Sequence, residues 1–368
     1  MLHLIFITWL KTKFILFNLL NYITFRSLAA FLTAFLLGVF IAPPLIRRFR
    51  DFGIRQAIRK DGPESHQAKS GTPTMGGIIV IIAALVAILL WTRFNYYVMV
   101  VTLGMILFGL IGFIDDFLKV KFKNSKGITS GVKLVLQILF SLVLITLLFV
   151  NPERPDIFWK FFIPFYNKPL WVWQPVFGYI FYIFVLVAFS NATNLTDGLD
   201  GLASGMGILL FIPFAVVAYV MGNAIAANYL IFPYMPGVGE LAVIMGSLIG
   251  GFTAFLWYNT HPAQVFMGDT GSLCMGGVIA LIAIILKEEM LLVVAGGMFV
   301  LETLSVAIQL SWFRFTKHRY GEGRRVFLMA PIHHHFEKKG WKETQVVTRF
   351  WILSALFAIL AISSLKIR

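Results

Sequence analysis

Long apolar stretches separated by shorter polar segments are the main pattern of this 368-residue chain. A run of about 17 to 25 apolar residues is long enough for an α-helix to cross the hydrocarbon core of a bilayer. Ten stretches reach this length, and they predict spanning helices at 25–46, 74–92, 96–114, 132–150, 175–190, 201–220, 240–257, 271–286, 290–312 and 347–365. The pattern predicts an all-α, polytopic integral membrane protein.

The first 24 residues are also apolar, but Lys11 and Lys13 interrupt them. No small-residue cleavage site follows, so residues 1–24 are interpreted as an N-terminal interfacial helix and not as a signal peptide. Residues 25–368 are predicted to form a single domain of ten transmembrane helices.

Composition agrees with this class of protein. Hydrophobic residues make up 59% of the chain and charged residues only 13%, which excludes a soluble domain with a polar surface. Cys274 is the only cysteine, so a disulfide within the chain and a cysteine-based metal site are both excluded.

Basic residues cluster in the loops after the first, third and ninth predicted spans. They are Arg47, Arg48, Arg50, Arg55, Arg59, Lys60 and Lys69, then Lys119, Lys121, Lys123, Lys126 and Lys133, then Arg314, Lys317, Arg319, Arg324, Arg325, Lys338, Lys339 and Lys342. The positive-inside rule assigns these loops to the cytoplasm, so both termini are predicted to be periplasmic. The formal net charge of +14 is mostly this topological signal, and no nucleic-acid partner is expected.

All the polar motifs fall at loops or span ends on the predicted cytoplasmic side. They are DGPESHQAKSGTPTMGG (61–77), IDD (114–116), NATNLTDGLDGLA (191–203), YNTHPAQVFMGDTGSL (258–273) and MAPIHHHFEKKGW (329–341). A transporter would place its ionisable residues nearer the bilayer midplane. Motifs gathered at one interface favour an enzyme that joins a water-soluble substrate to a membrane lipid.

Asp115 and Asp116 end the third predicted span. One interpretation is that they are solvated carboxylates that mark the membrane boundary. The other is a general base with a helper that binds a metal or fixes orientation, because adjacent carboxylates push their pKa values apart.

Asp197 and Asp200 are three residues apart and would share a face if the next helix already began there. The neighbouring glycines permit close approach of the backbone to a ligand. Asn194 and Thr196 could be ordinary helix caps, or the motif could bind a sugar or base by hydrogen bonds or through a bridging cation.

Asp269 lies between two glycines just before a predicted span, with Asn259 and His261 upstream. Mg²⁺ takes one or two carboxylates together with substrate phosphate oxygens. Asp269 is therefore the leading candidate for a metal ligand, with a helix cap as the alternative.

His333, His334 and His335 lie in the most basic loop. Consecutive histidines in an extended loop point in alternating directions, and no H-x-x-x-H pattern or cysteine partner accompanies them, so a closed zinc site is the less favoured alternative. A clamp for substrate phosphate or sugar is the preferred interpretation. Lys69, Thr74 and Lys133 are candidates for contacts with anionic groups, although any single lysine there also serves the topology.

In this order, the motifs resemble those of the phospho-N-acetylmuramoyl-pentapeptide transferases, a branch of the polyprenyl-phosphate N-acetylhexosamine-1-phosphate transferase superfamily. The resemblance runs from about residue 25 to the C-terminus. HHHFE and TPTMGG resemble the muramoyl branch in particular, whereas a sister branch uses UDP-N-acetylglucosamine.

The resemblance implies a reaction, partners and a cellular location. Phospho-MurNAc-pentapeptide would pass from UDP-MurNAc-pentapeptide to undecaprenyl phosphate, giving lipid I and UMP with Mg²⁺. The enzyme would lie in the lipid bilayer of a bacterial inner membrane as a homodimer, with its site facing the cytoplasm. The alternatives left open are the sister branch and, more distantly, a cation or solute transporter.

The resemblance also implies roles for individual residues. Asp115, Asp116, Asp269 and His333 would be catalytic, with Asp269 as the magnesium ligand. The substrate-binding residues would be Lys69, Thr74, Lys133, Asn194, Asp197, Asp200, Asn259, Phe266, Gln309, His334 and His335.

Overall fold

The computed structural model describes residues 15–54, 71–122, 127–151, 156–163, 166 and 168–365. Within these residues the chain forms thirteen α-helices, a 3₁₀ turn at Ile15–Asn21 and a second at Asp156–Trp159. The helices are α1 (Ile23–Asp51), α2 (Gly77–Trp91), α3 (Tyr96–Lys121), α4 (Ser130–Val150), α5 (Pro175–Thr196), α6 (Leu202–Met221), α7 (Ala224–Tyr229), α8 (Glu240–Asn259), α9 (Gly268–Leu286), α10 (Glu289–Ala295), α11 (Gly297–Tyr320), α12 (Ile332–Lys338) and α13 (Glu343–Ser364).

Nine of the described helices are long and apolar enough to cross a membrane. The prediction of an all-α polytopic membrane protein is therefore confirmed. The predicted span at 74–92 is the shorter helix α2, and the predicted span at 290–312 is divided at Gly296 into α10 and α11. The predicted interfacial helix lies mostly outside the described residues.

Helix α9 is at the centre of the bundle, because every residue from Thr270 to Leu286 is buried. It packs against α3 and α5, and also against α2 and α6. An apolar helix enclosed on all sides fits a sequence that is apolar all round. Asp269, in the first turn of α9, therefore stands at the end of the most enclosed helix.

The opposite end of the bundle is held by a buried ion pair. Arg26 of α1 and Glu240 of α8 form a bidentate pair with N···O distances of 2.5 and 2.6 Å. The N-terminal end of α1 lies here, and α13 runs away from the Asp269 end. The start of α1 and the end of α13 are therefore both on the side opposite the candidate site. Which face of a membrane this is remains the prediction made from charge.

A short antiparallel hairpin also lies at this opposite end. Its strands are β1 (Lys160–Phe161) and β2 (Trp171–Val172). The preceding 3₁₀ turn is anchored where the Tyr182 hydroxyl donates to the Phe158 carbonyl. The hairpin packs through aromatic side chains, with Trp173 stacked on Phe181 at 5.0 Å between ring centroids.

Candidate active site

Three aspartates from two helices meet at one end of the bundle. Asp115 and Asp116 belong to the last turns of α3, which continues beyond its predicted end to Lys121, and Asp269 belongs to the first turn of α9. One carboxylate oxygen of each lies within 4.8 Å of the others. The structure thus brings together the three carboxylates that the sequence singled out.

Asp116 is buried and connects α3 to α9. Its carboxylate accepts hydrogen bonds from the backbone N–H groups of Asp269 (3.1 Å) and Thr270 (2.9 Å) and from the Thr270 hydroxyl (2.7 Å). The first N–H groups of a helix have no partner within the helix. Asp116 satisfies two of them from a neighbouring helix, so it caps α9. Gly112 permits this close approach, because a Cβ there would collide with the Asp269 carbonyl.

Asp115 is paired differently. It accepts a hydrogen bond from the backbone N–H of Ile128 at 2.9 Å, and its Oδ2 lies 2.5 Å from Nζ of Lys119. Lys119 Nζ is also 3.1 Å from Oδ2 of Asp269, and Lys133 of α4 forms a further ion pair with that oxygen. Two ammonium groups therefore offset part of the negative charge of the three carboxylates.

Lys119 is not among the site residues predicted from the sequence, where it counts only as part of the topological signal. The spacing along the helix indicates this contact. Lys119 follows Asp115 by four residues and Asp116 by three, and residues at these spacings share a helix face.

Asn194, near the end of α5, orients Asp269. Its side-chain amide donates to Oδ1 of Asp269 and to the Ser272 hydroxyl, both at 2.9 Å. Asn194 therefore contacts the acidic cluster directly. The alternative of a simple helix cap is wrong for Asn194, which lies in the last turn of α5 and not at a helix start.

Asp197 follows α5 and faces the same cluster. Burial raises the pKa of Asp197 to about 8, and the carboxylates of Asp269, Asp116 and Asp200 add to the rise. At neutral pH its carboxyl group is therefore largely protonated, and can donate a hydrogen bond as well as accept one.

Asp197 and Asp200 do not share a helix face. Helix α6 begins only at Leu202, after a turn in which Gly201 has a φ of +76°. A residue in this left-handed region interrupts the helix, and glycine adopts the conformation readily. Asp197 and Asp200 therefore lie in the turn between two helices, where they have different partners.

Asp200 belongs to a second cluster. Its Oδ2 accepts from the backbone N–H of Ala263 and contacts Nδ1 of His261, each at 3.1 Å, while its own N–H donates to Glu343 at 2.9 Å. Asp200, His261 and Glu343 also place ligand atoms within 4.8 Å of one another. Their mutual hydrogen bonds account for this grouping without an ion, and they join the α5–α6 turn to α13.

The segment before α2 pairs with the segment before α9. The backbone N–H of Phe266 donates to the Pro73 carbonyl. The N–H of Gly76 donates to the Phe266 carbonyl and that of Gly77 to the Met267 carbonyl, and all three distances are 2.8 to 2.9 Å. Thr74 is buried in this contact. The Phe266 side chain is only partly buried, so its backbone is fixed while its ring remains accessible.

Asn259 is buried, and both ends of its amide are occupied. Its Oδ1 accepts from the N–H of Gly201 and the hydroxyl of Ser204, and its Nδ2 donates to the Val265 carbonyl. Asn259 therefore joins the α5–α6 turn to the 260–267 segment. Asn259 therefore has a supporting role, because it holds these two segments together.

The three histidines are not in an extended loop. They lie in helix α12, which begins directly after Pro331, and the expectation of alternating directions is wrong for this reason. His333 is buried and contacts Glu302 at 3.0 Å, whereas His334 contacts Glu337 of its own helix at 2.7 Å.

His335 has a different environment. Its Nδ1 accepts a hydrogen bond from the backbone N–H of Leu328 at 3.1 Å. Burial and the Lys339 ammonium group lower its pKa, so it is neutral at physiological pH. Gln309 of α11 holds the same loop, because its Oε1 accepts from the N–H groups of Val326 and Phe327.

Lys69 lies outside the described residues, and no contact can be assigned to it. Among the described residues, Asp115 and Asp269 are best suited to hold a hard cation, since Asp116 already accepts three hydrogen bonds. Carboxylate oxygens are the ligands that Mg²⁺ prefers, so the donor set fits such an ion. A bound cation would then share these carboxylates with Lys119 and Lys133.

Residues 98–287 match the family model described as Glycosyl transferase family 4. The match covers more than half of the chain and includes Asp115, Asp116, Asn194, Asp197 and Asp269. Members of this family are transferases of phospho-sugars that use a polyprenyl phosphate. The chain therefore belongs to glycosyl transferase family 4, and it is a multi-pass membrane enzyme of that class.

Proposed function

We propose that this enzyme transfers phospho-MurNAc-pentapeptide from UDP-MurNAc-pentapeptide to undecaprenyl phosphate. The products are lipid I and UMP, and the reaction takes place on the cytoplasmic face of a bacterial inner membrane. Family membership supports the reaction class, and the resemblance of HHHFE and TPTMGG to the muramoyl branch supports the choice of sugar. The observation that carries the proposal is the Asp115, Asp116 and Asp269 group, with Lys119 and Lys133 beside it.

Phosphoryl transfer depends mainly on in-line positioning and on neutralisation of charge. The attacking atom is a phosphate oxygen of undecaprenyl phosphate. It forms a bond to the phosphorus next to the sugar, while the bond from that phosphorus to the bridging oxygen of the diphosphate breaks. The electron pair of the broken bond leaves with UMP. No covalent help from the protein is required.

The charged side chains match this requirement. Lys119 and Lys133 would neutralise phosphate oxygens of the substrate, and Asp115 and Asp269 would hold Mg²⁺. When bound, Mg²⁺ supplies charge neutralisation for the diphosphate. Removal of one lysine partner from Asp269 by the incoming phosphates would leave that carboxylate free for the ion.

The contacts of the paired aspartates favour a single displacement over a phospho-enzyme. Asp116 accepts three hydrogen bonds and caps α9, so attack by Asp116 would release the helix that carries Asp269. Asp115 is held by Lys119 and Ile128, and as a ligand of Mg²⁺ it would not also act as a nucleophile. The lipid phosphate is already anionic near neutral pH, so the displacement does not require a strong base. A labelled acyl phosphate trapped on Asp115 or Asp116 would contradict the one-step route.

The nucleotide would bind between the α5–α6 turn and the segment before α9. Phe266 would stack on uracil, Asp197 or Asp200 would hydrogen-bond the nucleoside, and His333 would contact the diphosphate. Asn259 and Gln309 would support the site through the side-chain contacts described above, and the buried Thr74 would support it through the pairing of its segment with Phe266 and Met267. A homodimer embedded in the bilayer remains part of the proposal.

The test is release of UMP by the purified, detergent-solubilised protein with undecaprenyl phosphate, Mg²⁺ and UDP-MurNAc-pentapeptide. Samples without Mg²⁺, and with UDP-N-acetylglucosamine as the donor, are the controls. Release that requires both the muramoyl donor and Mg²⁺ is expected. Release with UDP-N-acetylglucosamine alone would move the enzyme to the sister branch, and no release with either donor would reject the proposed reaction.

A further inference from the structure

His333 forms a buried pair with a carboxylate that the proposed reaction does not use. Its Nδ1 lies 3.0 Å from Oε2 of Glu302 in α11, and neither side chain is exposed to solvent. The pair joins two helices through residues that are thirty-one positions apart in the chain. A lone carboxylate in a membrane-spanning helix needs a partner, and His333 is that partner.

The pairing determines which nitrogen of His333 carries a proton. With Glu302 ionised, its oxygens only accept hydrogen bonds, and Nδ1 of His333 is then the donor in this contact. The hydrogen bond made by one ring nitrogen fixes the state and direction of the other. Nε2 is therefore directed away from Glu302, in a defined orientation.

Nε2 is oriented toward the turn that follows Asp197. A Cβ added at Gly198 would collide with this nitrogen. Nε2 is also buried without a hydrogen-bond partner among the residues that the structure describes. A buried polar atom without a partner is costly unless a ligand satisfies it, so Nε2 is available to a ligand beside the turn that follows Asp197.

The other two histidines of α12 make different contacts from His333. His334 is paired with Glu337 of the same short helix, and Nδ1 of His335 accepts from the backbone of Leu328. Of the three, His333 is the one whose remaining nitrogen is enclosed beside the Asp197 turn.

We propose that Glu302 is a positioning residue for His333. It holds the imidazole so that Nε2 meets the diphosphate of the nucleotide donor, and it stabilises the doubly protonated ring in which Nε2–H donates to a phosphate oxygen. This inference rests on the proposed function, because the phosphate is supplied by that substrate. Partners that orient a metal-binding histidine change metal affinity or activity by about 10-fold to 100-fold when they are removed, and we expect an effect of similar size here.

A double-mutant cycle tests the assignment. We expect Glu302→Ala and His333→Ala each to lower kcat by about 10-fold to 100-fold, with a smaller change in KM for the nucleotide sugar. The double variant should be no slower than His333→Ala alone, because residues that act through one contact are not additive. Losses that multiply would show that Glu302 acts elsewhere and would overturn the proposal.

Conservative variants separate positioning from folding. Glu302→Gln keeps an oxygen that accepts from Nδ1, so it should retain more activity than Glu302→Ala, whereas the shorter Glu302→Asp should not reach the ring. Glu240→Gln is the matched control, because it removes a buried carboxylate at the opposite end of the bundle. It should lower thermal stability without a selective fall in kcat of the folded enzyme. A fall in kcat of the folded enzyme that is as large in Glu240→Gln as in Glu302→Ala would contradict the proposed role.

A spectroscopic measurement tests the pair without any turnover. The ¹⁵N signals of His333, identified by their absence in His333→Asn, should show a protonated Nδ1 in the wild type and mixed protonation in Glu302→Ala. An unchanged spectrum in Glu302→Ala would overturn the inference. If the wild type shows the expected spectrum but transfers neither sugar, the proposed function fails while the pairing stands.

Discussion

Asp116 caps the helix that carries Asp269: its carboxylate accepts hydrogen bonds from the N–H of Asp269 at 3.1 Å and from the N–H of Thr270 at 2.9 Å. Its neighbour Asp115 contacts Lys119 and Ile128 and makes no such cap. Two adjacent residues of the same type therefore have different tasks. Asp116 determines the position of Asp269, whereas Asp115 is directed to the charged cluster.

This difference predicts different results for the two Asn variants. Asp116→Asn replaces one carboxylate oxygen by an NH₂ group. This group cannot accept a hydrogen bond, and it would face the backbone N–H donors that Asp116 caps. Loss of a helix cap costs about 0.5 to 2 kcal/mol, so thermal stability should fall together with activity. The measurement is thermal unfolding in detergent alongside the transferase assay.

Asp115→Asn is the matched comparison. It should lower activity while leaving the unfolding temperature close to that of the wild type, because its contacts do not hold α9. Equal destabilisation by both substitutions would show that the cap does not distinguish them.

Lys119 is expected to compete with a divalent cation. Its ammonium group lies 2.5 Å from Asp115 Oδ2 and 3.1 Å from Asp269 Oδ2, and its removal leaves the carboxylates with less positive charge nearby. For Lys119→Gln we expect binding of Mn²⁺, measured by electron paramagnetic resonance, to tighten by roughly 5-fold, the equivalent of about 1 kcal/mol of lost competition at high effective dielectric.

Lys121→Gln provides the control, because Lys121 is exposed on the same helix and its ammonium lies over the Phe122 ring. The same gain in Mn²⁺ affinity in both variants would indicate a general charge effect, and no gain in Lys119→Gln would mean that this lysine does not occupy the cation's place.

The raised pKa of Asp197 predicts that the stability of the protein depends on pH. Its pKa in the folded protein is about 8, above the unfolded value of about 3.9. The folded state therefore binds more protons between these values, and stability falls as the pH rises through this range. In metal-free buffer, raising the pH from about 7 to about 9 should destabilise the wild type by on the order of 1 kcal/mol relative to Asp197→Asn. If raising the pH destabilises the wild type and Asp197→Asn by the same amount, the raised pKa of Asp197 is contradicted.

The sequence could predict most of the fold, because length and hydropathy of a spanning helix are local properties. The exception at 74–92 has a long-range cause. Residues 73–77 pair with Phe266 and Met267, and this contact keeps the segment before Gly77 out of the helix. No spacing in the chain reveals a pairing over such a distance.

The candidate site was predicted in part for the same reason. Topology alone was enough to place Asp115, Asp116 and Asp269 at one end of the bundle. Lys119 was overlooked although its helical spacing was available, and Glu302 was overlooked although a lone carboxylate in the run at 290–312 was itself a signal. The helical form of 332–338 could not be inferred, since the stability of one short helix depends on packing and not on its own sequence.

Gly198 predicts a steric test of the same region. A Cβ at this position would meet Nε2 of His333, so Gly198→Ala should displace the imidazole or the turn that carries Asp197. Overpacking of this kind costs about 1 to 3 kcal/mol, and kcat should fall further than stability alone explains. Gly131→Ala, where nothing lies within 4 Å of the added Cβ, should retain wild-type kinetics. Normal kcat in Gly198→Ala would show that His333 can move without consequence.

Phe266 allows the nucleotide pocket to be tested without disturbing the loop. Its backbone is held by Pro73 and Gly76, and these contacts do not depend on its side chain. Stacking of a base on an aromatic ring is worth about 1 to 3 kcal/mol, so Phe266→Ala should raise KM for the nucleotide sugar by roughly 5-fold to 150-fold, with a smaller effect on kcat. Phe266→Trp keeps an aromatic face and should restore most of the affinity. An unchanged KM in Phe266→Ala would remove the ring from the pocket, whereas a fall in kcat alone would indicate that it contacts the reacting groups and not the base.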